Sequence, residues 1–338
     1  MRKLLLSLKH ASNLKDANSS VKVYNGYGHK NNIILYGHVL RGKHTNENRY
    51  SNNPFINALH LFRLFLVKPR SGFLLEMHWG NQIFTTYSQT DGFFKFEWQS
   101  NKEVNAGWHA IDVYLLSQNR ELISKSTGKV FIPNSTQYAF ISDIDDTLLI
   151  SHSSSTLKKL RLLFIRNPRS RKPFEDVVNH YQLLSLAHTD SLIPNPFFYV
   201  SSSEWNLYEY LTEFFLHNEL PEGVLLLNKL KRFSQLFKTG KSNHQLKSQR
   251  ITRILDSFPK QKFVLLGDNS QRDPELYKAI ANHYPEKIHA IYIRQIRSRR
   301  IKSAKHLLDS INNKNIHICL FSINAEAIQH SKQIGLIE

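Results

Sequence analysis

The sequence predicts an α/β protein in two parts: a mostly parallel, doubly wound sheet with helices on both faces, preceded by a small antiparallel β-sandwich. Two observations carry this. From residue 138 onward short apolar runs alternate with helical periods, the pattern of strand–helix–strand units that assemble into a parallel sheet. Before residue 136 the pattern is different: short runs with partial period-2 alternation, separated by Gly and Asn, read as antiparallel strands.

The elements follow in order. In the first part, 32–40, 72–79 and 107–115 read as strands, and Thr90-Asp91-Gly92 is a turn signal directly before another apolar run. His38, His78 and His109 fall in separate strands without ligand spacing, so they are expected to be satisfied or exposed side chains and not a metal site. In the second part the strand-like runs are 138–144, 197–202, 223–227, 262–267, 287–293 and 316–321. Helical periods lie between and after them at 174–187, 205–216, 244–258, 274–281, 298–311 and 324–334. This divides the chain into an N-terminal segment, 1–19, a β-domain, 20–136, and an α/β domain, 137–338. An insert near 151–173 is too short for an independent cap and reads as a basic flap.

Composition bounds the function. At 338 residues and 41% hydrophobic content the chain can fill two cores. The single Cys319 forms no internal disulfide and lies in an apolar run, which predicts a buried thiol and a reducing, cytoplasmic setting. No stretch approaches the ~18 apolar residues of a spanning helix. The net charge of +18 favours anionic partners, membranes or nucleic acid, without choosing between them. Lys158, Lys159, Arg161, Arg166, Arg169, Arg171 and Lys172 fall together with no acid among them. Leu and Phe residues interleave them, which suits an interfacial segment peripheral to an anionic membrane. The cluster from Arg294 to Lys305 reads as a solvated face.

The chemistry begins at Asp143-Ile144-Asp145-Asp146-Thr147, at the end of an apolar run. Carboxylates at i and i+2 at a strand's C-terminal end can both point into the crevice above the sheet. One can attack phosphorus while the other handles the leaving group's proton and helps hold a cation. Three later segments supply further parts: a run ending in Ser201-Ser202-Ser203, a helix carrying Lys247, and a run ending in Gly267-Asp268 with Asp273 five residues on. No GxxxxGK[ST] loop, GxSxG elbow or dinucleotide fingerprint occurs, and no named nucleic-acid-binding motif supports nucleic acid as a partner.

This order of DxDxT, strand-Ser, helix-Lys and strand-GDxxxxD resembles haloacid dehalogenase superfamily phosphatases. More narrowly, it is similar to the actin-patch-protein type of phosphatidate phosphatase domain, closely over 138–295 and loosely over 20–136. Further matches are Asn167 to Phe174, Tyr199 to Tyr208, Asp273 to Tyr277 and Ile291 to Arg294. The resemblance implies a Rossmann-like fold and an Mg2+-dependent phosphomonoesterase working through an aspartyl-phosphate. The implied substrate is phosphatidate, converted to diacylglycerol. A soluble phosphomonoesterase acting on a nucleotide or nucleic-acid end, and a non-catalytic lipid- or polyanion-binding module, stand as alternatives. No oligomeric state is implied.

Asp143 is then the nucleophile, and Asp145 the acid and later the base, held by the Thr147 hydroxyl. Ser201, or a neighbouring serine, and Lys247 would contact the phosphoryl group. The lysine is set by register from Pro259, with Lys229 and Lys241 as competitors. Asp143, Asp268 and the Asp145 carbonyl would ligate Mg2+ with Asp273 behind them, and Asp273 could equally cap the helix that Pro274 begins.

Overall fold

The computed structural model describes residues 18–42, 53–134, 138–148, 168–169, 171–189, 191–230 and 243–338. The chain forms two compact units, Met1–Arg49 with Leu66–Ile132, and Tyr50–Phe65 with Pro133–Glu338.

The first unit holds β1 (Ser19–His29), β2 (Asn32–Arg41), β3 (Leu74–Trp79), β4 (Gln82–Tyr87), β5 (Phe93–Trp98), β6 (Gly107–Leu116) and β7 (Leu122–Ile132). All seven join one hydrogen-bonded sheet in the order β4-β3-β6-β7-β1-β2-β5, antiparallel except where β1 meets β7. The sheet curls until its ends meet: the Asn101 amide donates to Gln82 Oε1 at 2.9 Å, and Trp79 and Trp98 pack edge to face. Its concave side buries Val21, Leu35, Leu75, Phe96, Val113 and Val130. The two separate sheets expected of a sandwich are thus one sheet wrapped around a core.

The turn before β5 forms where Gly was expected to permit it. Gly92 takes a φ of 77°, and the Phe93 amide donates to Asp91 Oδ1 at 3.2 Å. His38 is buried and bonded to the Tyr24 hydroxyl, His78 meets Glu76, and His109 meets the Asn105 carbonyl.

The second unit carries a six-stranded sheet in which every pair is parallel. Its strands are β8 (Tyr138–Ser142), β9 (Phe197–Glu204), β10 (Gly223–Asn228), β11 (Lys262–Asp268), β12 (Ile288–Arg294) and β13 (His317–Phe321). Its helices are α1 (Pro54–Phe65), α2 (Val177–Ser185), α3 (Tyr208–His217), α4 (Asn243–Ser257), α5 (Asp273–His283), α6 (Ile301–Asp309) and α7 (Asn324–Gln333). The helix α1 lies within the range read as the β-domain, yet it belongs to this unit.

The order β10-β9-β8-β11-β12-β13 reverses between β8 and β11. Chain leaving β8 travels one way through β9 and β10, then returns to β11 and travels the other way. Right-handed crossovers therefore place helices on both faces. Accordingly α4 packs on α5 and α5 on α6, while α2 packs on α7, where His180 meets Ser331 at 3.0 Å. The carboxyl ends of β8 and β11 flank this reversal, the place where such sheets bind ligands. Cys319 is free and buried, and burial pushes its thiol up to about 12. Among the described residues no helix is long and apolar enough to cross a membrane.

Candidate active site

Asp143 is the first residue beyond β8, and its amide extends the ladder to the Leu266 carbonyl at 2.9 Å. That bond fixes its carboxylate at the strand-order reversal, beside Asp268 at the end of β11. The chain then turns sharply. Asp146 takes a left-handed φ of 63°, and the Leu148 amide closes onto the Ile144 carbonyl at 3.1 Å.

Around this turn the side chains converge. Lys247, on the buried face of α4, donates to Asp143 Oδ1 at 2.8 Å and to Asp273 Oδ1 at 2.6 Å. Asp143, Asp268 and Asp273 each offer a carboxylate oxygen within 4.8 Å of the others. Asp143 Oδ2 is buried without a hydrogen-bond partner. Of the competing lysines, Lys229 is exposed and apart from the cluster, and Lys241 lies outside the described residues.

Two expected contacts differ. Thr147 does not hold Asp145: its hydroxyl donates to Asp268 Oδ2 at 3.3 Å. The Asp145 Oδ2 atom instead accepts from the Ser201 and Ser203 hydroxyls, both at 3.2 Å. Residues i and i+2 of a strand share a face, so the spacing of these serines at the end of β9 carried the signal for the second one. Asp273 begins α5, but the helix has no side-chain cap; its carboxylate turns back to Lys247 and to the Asp268 amide. Ser270 was also missed. It donates by its hydroxyl to Asp146 Oδ2 at 3.2 Å and by its amide to Asp268 Oδ1.

The basic runs behave unevenly. Arg169 is exposed and pairs with Glu213 at 2.6 Å, whereas Arg171 is buried. Lys158, Lys159, Arg161 and Arg166 lie outside the described residues. In the second run Arg294 departs from a solvated face. It is buried between the Phe174 and Phe321 rings, and its Nε donates to the Thr147 carbonyl at 3.2 Å. Burial brings its guanidinium down to about 10.

The electrostatics follow from burial. It pushes the Asp143 carboxyl well above the ordinary carboxylate range; Lys247 opposes that shift, and Asp273, Asp268 and Asp145 add to it. Asp268 is pushed up to about 7 by burial and by Asp273. Burial disfavours the Lys247 ammonium, but the two carboxylates it bridges outweigh that and hold it above the ordinary lysine value.

A carboxyl raised in the fold costs stability when it ionises. The metal-free protein should therefore lose stability as pH rises from about 4 toward the Asp268 value of about 7. Melting temperature against pH in chelator checks this. The decline should be shallower in Asp268→Asn, and added Mg2+ should flatten it in the parent protein.

Gly267 makes the cluster possible. A Cβ there would stand 2.7 Å from Asp273 Oδ2 and 2.8 Å from the Tyr277 ring, which is fixed by its bond to the Leu266 carbonyl. Gly267→Ala should cost about 1–3 kcal/mol by overpacking and displace Asp273. Denaturant unfolding and an Mg2+ titration of the melting temperature measure the two effects.

Comparison with known proteins now adds to the geometry. Residues 138–295 match the family described as phosphatidate phosphatase APP1, catalytic domain. Phosphatidate phosphatase APP1 of Saccharomyces cerevisiae is 35% identical over 158 residues, covering 46% of this chain and 25% of that protein. An uncharacterized protein of Schizosaccharomyces pombe is 24% identical over 193 residues, covering 56% of this chain and 30% of that one. The chain thus spans less than a third of the length of either relative. A solved carbohydrate acetylesterase from Xanthomonas citri covers 92% of this chain and 72% of its own, at 6% identity and a TM-score of 0.31, too low to carry an argument. The lysine-bridged carboxylate cluster at the strand-order reversal lies within the residues that match this family. Over residues 138–295 the chain is similar to the phosphatidate phosphatase APP1 catalytic-domain family.

Proposed function

We propose that the chain is a Mg2+-dependent phosphomonoesterase that forms an aspartyl-phosphate on Asp143 and takes phosphatidate as substrate. The observation that carries this reading is the state of Asp143: one oxygen on Lys247, the other buried and unpartnered, at the reversal point of a parallel sheet. The wider assignments belong to the same reading. They are a haloacid dehalogenase-like, Rossmann-like domain over 137–338, preceded by a β-domain over 20–136, and a cytoplasmic enzyme peripheral to membranes.

The donor set fits Mg2+. It is all oxygen, anionic and compact, and it contains an orphaned carboxylate oxygen. Asp143, Asp268 and the Asp145 carbonyl would hold the ion, with Asp273 beside them. When bound, a dication would keep these buried carboxylates charged at neutral pH and offset charge on the phosphate.

The residues then divide the work. The Asp143 carboxylate attacks phosphorus, the ester P–O bond breaks, and Asp145 gives its proton to the departing oxygen. Asp145, now a carboxylate, takes a proton from water. That water attacks phosphorus, the bond to Asp143 breaks, and phosphate leaves. Ser201 and Ser203 orient Asp145 through Oδ2. Lys247 offsets charge on Asp143 and on the phosphoryl oxygens as the bonds change.

Parallel phosphate-release assays on phosphatidate in mixed micelles and on nucleotides test the substrate. Release from phosphatidate well above release from nucleotides is expected. The reverse ranking would transfer the reading to a soluble phosphomonoester, and no release from either would leave only a binding role.

A further inference from the structure

We infer that α1 is a membrane-docking element that seats the crevice on an anionic phospholipid surface. Among the described side chains of this helix, two large apolar residues face solvent. Ile56 and Leu59 are 48% and 52% exposed, and Arg63 is exposed with them. Their spacing, i, i+3 and i+7, puts all three on one narrow stripe. The opposite side is already used, since Asn57 and Phe65 are buried. A helix with apolar residues on both sides needs a second partner.

Charge selects that partner. The sequence has no acidic residue between Glu47 and Glu76, and Arg49, Arg63, Lys68 and Arg70 lie in that interval. An apolar stripe carrying a cation, in an acid-free stretch of a chain with net charge +18, is complementary to anionic headgroups over acyl chains. Arginine suits this position, because its stem can lie in the apolar layer while its guanidinium stays among headgroups.

The position of the helix links docking to the site. Asn206 donates to the Leu64 carbonyl of α1 at 2.8 Å. Three residues before Asn206 lies Ser203, which holds Asp145. The helix is therefore anchored at the end of the strand that orients the acid, on the rim where a membrane-embedded substrate would enter. Docking at α1 rests on the phosphatidate reading for its purpose, though not for the binding itself.

The test uses the full chain. Binding to vesicles of phosphatidylcholine, with and without phosphatidylglycerol, is measured by co-sedimentation. Release of phosphate is measured from phosphatidate in vesicles and from a soluble aryl phosphate. Replacing both apolar residues (Ile56→Asp with Leu59→Asp) should weaken binding to anionic vesicles by about tenfold or more. It should lower turnover of vesicle-borne phosphatidate to match and leave aryl phosphate turnover unchanged. The milder pair Ile56→Ser with Leu59→Ser should show the same order of effects should the acidic pair fold poorly. Unchanged vesicle binding, equal binding to zwitterionic vesicles, or equal losses on both substrates would overturn the proposal. So would a parent dimer that the substitutions dissociate, since the stripe would then be an interface between copies. A parent protein that binds anionic vesicles but releases nothing from any phosphatidate would leave the docking intact and refute the substrate reading.

Discussion

Asp143→Asn is expected to lower Mg2+-dependent phosphate release by at least about four orders of magnitude while the domain stays folded. The amide keeps the shape of the carboxylate, and its oxygen can still accept the 2.8 Å bond from Lys247. What disappears is the nucleophile and one buried negative charge. Because burial already pushes the Asp143 carboxyl upward, removing that charge relieves a desolvation cost, so the metal-free melting temperature should hold or rise. The response to Mg2+ should move the other way. A site-bound ion at a hundredfold excess over its Kd stabilises by about 2.7 kcal/mol, worth several degrees in a domain of this size. The variant should lose most of that gain. Near-parent turnover in Asp143→Asn would remove the aspartyl-phosphate from the mechanism. An unchanged Mg2+ shift would instead move the metal site elsewhere.

Much of the second unit is legible in the sequence, for physical reasons. Strands such as 197–204 and 262–268 are buried on both faces along most of their length, so they read as apolar runs whose polar residues, Lys262 apart, gather at the carboxyl ends. The first unit is harder. β7 mixes exposed Lys125, Thr127 and Lys129 with buried Val130 to Ile132, and the alternating edge strand β4 is only half covered, so neither gives a clean run. The helix α1 was missed because apolar residues on both sides blur its period, and it interrupts a β-rich region.

The site divides along the same line. Residues close in sequence, such as Asp143 and Asp145, are brought to the site by the strand that leads into them. Contacts that depend on packing are not. Thr147 sits two residues from Asp145, which suggests a local bond, but the left-handed turn at Asp146 sends its hydroxyl to Asp268, 121 positions away. Arg294 stands in a basic run and reads as solvated, although Phe174 and Phe321 enclose it. Neither ring is near it in sequence.

Lys247→Met should separate the structural and chemical roles of the lysine. Its side chain is 5% exposed, and its ammonium bridges two carboxylates that are almost wholly buried. Deleting one partner of a buried ion pair leaves uncompensated charge and costs about 3–5 kcal/mol. The sign of the pH dependence follows. Without the lysine, Asp143 loses the charge that favours its ionised form, so its carboxyl, already raised by burial, rises further. The loss should be greatest at neutral pH, where an ordinary carboxylate would ionise, and should shrink as pH falls through the ordinary carboxylate range. Mg2+ meets a more anionic cluster and should restore part of the stability. It should not restore turnover, because the ammonium that offsets charge on Asp143 and the phosphoryl group is gone. Adding Asp273→Asn should likewise recover stability alone. Denaturant unfolding at acidic and neutral pH, with and without Mg2+, beside phosphate release, distinguishes these outcomes. A pH-independent loss would make Lys247 a packing residue, and activity restored along with stability would remove it from the chemistry.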